Sequence, residues 1–163
     1  MFQQILLAVA LQQGEVFTPH VLTAREVAVS LAKGCGAKLS VLSVYDYGKI
    51  KEPSLSAEMA ARYREDLMQR IDAQMESTMK VFLAGVQELE IAISSMVQAG
   101  EPRRAIIEVA RRLPADLLVI GADSTRRVLD VVLGSTAAYV SRHAPCPVLM
   151  VTPRRTSQTP ATL

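Results

Sequence analysis

Five short apolar runs alternate with four helix-like segments along this chain, and that alternation limits the fold more than any other feature. "ILLAVA" (residues 5–10) predicts a first strand, "KLSVLSVY" (38–45) a second, "EIAISSMVQ" (90–98) a third, "ADLLVIGA" (115–122) a fourth and "CPVLMVT" (146–152) a fifth. Each is long enough for a strand and too short for a typical helix. The fourth is apolar through its whole middle, as a strand buried on both faces requires. Between them lie segments with helical periodicity. Strands alternating with helices predict an α/β fold with one five-stranded parallel sheet, helices on both faces and right-handed crossovers.

The helix signals are local. In "TPHVLTAREVAVSLAKGCGA" Thr18 can cap, Pro19 suits the first helical position, and Val21, Leu22, Val27, Ala28 and Leu31 form a stripe that Gly34 and Gly36 stop. From about Ser56 to Gly85, Met59, Tyr63, Leu67, Ile71, Met75 and Phe82 recur at helical spacing, with the methionines as flexible core filler. "EPRRAIIEVARRL" and "STAAYVSRHA" complete the set.

A chain of 163 residues with 50% hydrophobic content suits one domain with a real core. The expected domain is 1–152. The polar tail 153–163, with two prolines, is expected to be disordered. A net charge of +2 calls for neither nucleic acid nor a membrane surface, and the absence of Trp argues against a base-stacking platform. The N-terminus lacks a basic region, and its apolar run is too short for a signal peptide or a span. Cys35 and Cys146 form neither a disulfide framework nor a zinc spacing, which suits a reducing cytoplasm.

In parallel sheets of this kind, ligands bind beyond the carboxyl ends of the strands, where the strand order reverses. Those ends place Val9, Ala10, Val44, Tyr45, Ala99, Gly100 and Gly121 near a site. The stretch "LLVIGADSTRRVLDVVLGST" adds a strand, a basic loop and a helix start, with Gly121 and Gly134 thirteen positions apart. Gly134, Ser135 and Thr136 can cradle a phosphate, because free N–H groups and the helix dipole favour an anion. Equally, Gly134 can be a turn residue and Ser135 or Thr136 an N-cap. Gly121 allows either a close ligand or a tight turn. Arg126 and Arg127 read as solvated, His143 as structural, and Cys146 as a small buried apolar residue. His20 has no evident partner. No nucleophilic triad, paired-carboxylate site or metal cluster stands out. A P-loop lysine motif and a Gly-x-Gly-x-x-Gly after the first strand are absent.

The final segment "VIGADSTRRVLDVVLGSTAAYVSRHAPCPVLMV", with "AGEPRRAIIEVARRLPADLLVIGA" before it and "ILLAVA" and "AKLSVLSVYD" earlier, resembles the universal stress protein family over the chain up to Val151. The resemblance implies a sheet of order 3-2-1-4-5, of the adenine-nucleotide alpha-hydrolase-like type, and a homodimer through the last strand. One branch of that family binds ATP through Gly-x-x-Gly-x9-Gly-Ser/Thr, which maps onto Gly121, Ser124, Gly134 and Ser135. Ser124 stands where the family has glycine. Ala10 stands where the nucleotide-binding branch has aspartate, and Val44 matches a position near the adenine. The implied function is a cytoplasmic stress-response regulator binding ATP or AMP. The alternatives are an interaction module of the same fold with a degenerate pocket, and a slow ATP hydrolase, for which the phosphate loop offers no obvious base or metal carboxylate although Asp123 and Asp130 lie close enough to test.

Overall fold

The computed structural model describes residues 1–11, 16–49, 51–86, 89–122 and 134–153. Its elements run β1 (Gln4–Val9), α1 (Pro19–Cys35), β2 (Lys38–Tyr45), α2 (Ala57–Phe82), β3 (Ile93–Ala99), α3 (Pro102–Arg112), β4 (Leu117–Gly121), α4 (Ser135–His143) and β5 (Val148–Val151). The strands form one sheet of order β3-β2-β1-β4-β5. Every neighbouring pair is parallel, with Ile5 opposite both Leu39 and Leu117. The expected α/β architecture and strand order are those observed.

Strand alternation divides the core into two layers. Ile5, Leu7 and Val9 face one side, where Ala24, Ala28 and Ala32 of α1 and Ile71, Met75 and Phe82 of α2 cover them. Leu6 and Ala8 face the other side, against Ile106, Ile107 and Ala110 of α3 and Val140 of α4. A strand residue changes face at every step, so both layers need β1 to be apolar throughout. The small residues of α1 let that helix lie close to the sheet.

Local sequence sets most of the helix ends. Pro19 opens α1, and Gly36, in the left-handed region at φ 66°, closes it while its N–H reaches back to Ala32 and Lys33. Thr18 holds the N-cap backbone position, but its hydroxyl caps no N–H; it bonds to the His20 ring instead, at 3.3 Å. The Ser56 hydroxyl accepts from Met59 N–H and starts α2. The C-terminus of α2 is tied to α1, because Arg25 Nη1 donates to the Phe82 carbonyl at 2.6 Å and its guanidinium lies 5.2 Å from the Phe82 ring centroid. Phe82 is fully buried, so truncating it to alanine costs about 3–5 kcal/mol.

One expectation about α2 fails. Met59 and Tyr63 belong to the periodic stripe, yet they are 59% and 38% exposed. Ile71, Met75, Met79 and Phe82 do the packing. The reason is length. A 26-residue helix spans about 39 Å, while the seven-residue edge strand β3 spans roughly 23 Å. The first turns of α2 therefore overrun the sheet. Met75 and Met79 are core filler as expected; Met59 is not.

At the end of β2, the Tyr45 hydroxyl donates to Asp72 Oδ1 at 2.6 Å. Burial, the hydrogen bond and the negative charge of Asp72 all push the phenol above its ordinary range. At the opposite end of the sheet, the Asp116 carboxylate accepts from the Gln3 and Gln4 N–H groups and fixes the start of β1.

Candidate functional site

Helix α1, which follows β1 in the chain, packs on one face of the sheet, and α4, which follows β4, packs on the other. Neighbouring strands whose connections diverge open a crevice between their carboxyl ends. A cavity of about 310 Å³ occupies that place, lined in part by Val9, Ala10, Val44, Gly121, Gly134, Ser135 and Thr136. The size falls at the small end of the range for ligand sites. Those seven expected residues therefore meet in one cleft, whereas Tyr45, Ala99 and Gly100, the other strand-end residues expected near a site, are not part of its lining. Ser124 lies outside the described residues, as do Asp123, Arg126, Arg127 and Asp130.

The two glycines differ in why they are glycine. A methyl group on Gly121 would stand 3.0 Å from the His20 carbonyl oxygen and 3.2 Å from His20 Cδ2. The close approach at this strand end is thus made by the first turn of α1. Gly134 is the N-cap of α4 at φ −53° and ψ 150°, a conformation open to any residue. No described atom lies within 4 Å of where its Cβ would be. Neither backbone strain nor packing among the described residues demands a glycine there.

Gly134 has no side chain with which to cap α4. The first N–H groups of a helix have no intrahelical partner, so these are presented at the cleft with the positive end of the helix dipole. Ser135 and Thr136 add hydroxyl donors beside them. On the strand side, Val9 and Val44 supply apolar wall, and exposed Ala10 supplies only a methyl group.

Several cleft residues lay outside the expected set. Leu42, Pro102, Ile106 and Ile120 are among the residues that add apolar lining, and His20 brings an imidazole. The available clue for His20 was its place in the first turn of the helix after β1, since that turn borders the strand ends. Elsewhere, His143 Nδ1 donates to the Tyr139 carbonyl at 2.8 Å, and its ring stacks on Tyr139 at 4.0 Å. Burial, then the charge of Asp116, pushes the Cys146 thiol up and keeps it protonated. Among the described residues, no group of three or more His, Cys, Asp or Glu side chains is placed to hold a metal ion. No described helix is long and apolar enough to cross a membrane.

The family model described as "Universal stress protein family" matches residues 1–152. The chain belongs to the universal stress protein family. A universal stress protein of Thermus aquaticus is 32% identical over 155 residues, covering 93% of this chain and 99% of that one. One from Synechocystis is 31% identical over 102 residues, covering 61% of this chain and 66% of its own. Among solved structures, a universal stress protein of Lactobacillus plantarum aligns with a TM-score of 0.70 and 26% identity, over 91% of this chain and 97% of its own. An Arabidopsis thaliana family member with AMP bound aligns at 0.63 with 19% identity, over 98% and 96% of the two chains. At that identity the Arabidopsis alignment establishes shared fold.

Proposed function

We propose that this universal stress protein binds an adenine nucleotide, ATP or AMP, in the cleft at the ends of β1 and β4 and acts as a homodimeric regulator in stress response. The observation that carries the reading is Gly134. It opens helix α4 onto the cleft without a capping side chain of its own, and a side chain there would meet no described atom. Close approach of a phosphate to backbone N–H groups is a demand that would account for glycine at that position. The apolar strand ends provide a wall against which a purine can lie. Relatives of the same fold have been solved with AMP, cAMP and dAMP, which supports the adenine class.

For the dimer, the supporting feature is β5. It stands at the sheet edge, pairs on one side with β4, and exposes Met150. An apolar edge strand is a template for pairing with a second copy. Isothermal titration with ATP, AMP and GTP tests the nucleotide reading. Saturable binding of the adenine nucleotides with weaker GTP binding is expected.

A second reading has its own observation. Ala10 gives the cleft no carboxylate at the end of β1, so the same fold can serve as an interaction module without nucleotide. Titrations flat to millimolar concentration with all three nucleotides would favour it.

A further inference from the structure

Three of the described cleft-lining side chains carry polar groups: His20, Ser135 and Thr136. They sit on opposite sides. Ser135 and Thr136 open α4, which packs on one face of the sheet, while His20 lies in the first turn of α1 on the other. A ligand spanning the strand ends meets hydroxyls on one side and an imidazole on the other.

The imidazole is held in place. Its Cδ2 edge lies against Gly121, and its Nε2 is 3.3 Å from Thr18 Oγ1. Thr18 holds the N-cap backbone position of α1 without capping an N–H through its side chain. A neutral imidazole has one donor and one acceptor nitrogen. If Nε2 donates to Thr18, Nδ1 accepts; if Thr18 donates to Nε2, Nδ1 donates. An amine would suit only the first case and a phosphate oxygen only the second. A hydroxyl suits both, because it donates and accepts.

We propose that His20, oriented by Thr18, hydrogen-bonds a ribose hydroxyl of the bound nucleotide, supplying the polar contact that Ala10 at the end of β1 cannot. This assignment rests on the nucleotide reading above. His20 then sets specificity for a ribose over a deoxyribose, while α4 holds the phosphate.

The test is isothermal titration of the full chain with AMP, 2′-deoxy-AMP and 3′-deoxy-AMP, using wild type, His20→Ala, His20→Gln and Thr18→Val. Wild type should prefer AMP over at least one deoxy ligand by about 3- to 10-fold, the range of one hydrogen bond. His20→Ala should erase that preference and leave affinity for the disfavoured deoxy ligand unchanged. His20→Gln, whose amide donates and accepts, should keep part of it, and Thr18→Val should reduce it. Wild type that binds all three alike, or His20→Ala that keeps the preference or weakens all three equally, overturns the role of His20 and leaves the nucleotide reading standing. Wild type that binds none of them at millimolar concentration overturns both.

Discussion

Gly121 and His20 touch so closely that no side chain fits between them: an added methyl would lie 3.0 Å from the His20 carbonyl oxygen. This contact docks the first turn of α1 against the end of β4 and closes one side of the cleft. Gly121→Ala should therefore destabilise the fold by about 1–3 kcal/mol, the usual cost of overpacking. Urea unfolding measures it. Unchanged stability would mean that α1 is not seated on Gly121.

Gly134 should behave in the opposite way. Its Cβ position is open, so Gly134→Val should leave the protein folded, losing only about 1 kcal/mol of helix capping. Nucleotide binding should be abolished, because the side chain would stand where a phosphate approaches. Ser135→Ala should weaken binding by about 1 kcal/mol for one lost hydrogen bond. Calorimetry with unchanged affinity in Gly134→Val would move the phosphate elsewhere.

The dimer prediction depends on which residue of β5 is changed. Val151 is buried and Leu149 packs against the core, so a lysine at either would disturb the fold itself. Met150 is 37% exposed. Met150→Lys should keep the melting temperature of the protomer and weaken self-association. Sedimentation that finds the wild type monomeric at tens of micromolar would rule out the β5 dimer.

Tyr45 offers a pH signature. Its hydroxyl donates to Asp72, and burial together with that bond raises the phenol above its ordinary value of 10.0. Below that value both folded and unfolded chains keep the proton, so the stabilising contribution is complete. Above it the unfolded chain releases its proton first, and stability falls as pH rises. Tyr45→Phe should cost about 1.5 kcal/mol at neutral pH, and its deficit should shrink above pH 10. Denaturant midpoints across that range check both parts. A deficit that grows with alkali would contradict the assignment.

Much of this could be read from the chain alone. β2 falls on Lys38–Tyr45 as expected, because its apolar residues Leu39 and Val41 pack into one layer of the core and Leu42 and Val44 into the other. Val9, Ala10 and Gly121 follow from topology, since the ends of β1 and β4 flank the order reversal; the same reading also named Tyr45, Ala99 and Gly100, which lie outside the cleft lining. Other features needed the third dimension. The exposure of Met59 and Tyr63 depends on how far α2 outruns the sheet, and periodicity does not measure that. The reason for Gly121 lies with His20, 101 positions earlier in the chain, and no local pattern records that contact. His20 itself became a cleft residue only once α1 was seated.

The central claim is that the cleft between β1 and β4 holds an adenine nucleotide. Its most direct test is mass spectrometry of the small molecules released when the purified protein is denatured. The account predicts ATP or AMP in near-stoichiometric amount from wild type and none from Gly134→Val. Release of no nucleotide from wild type, with no uptake after incubation in millimolar ATP or AMP, would contradict it.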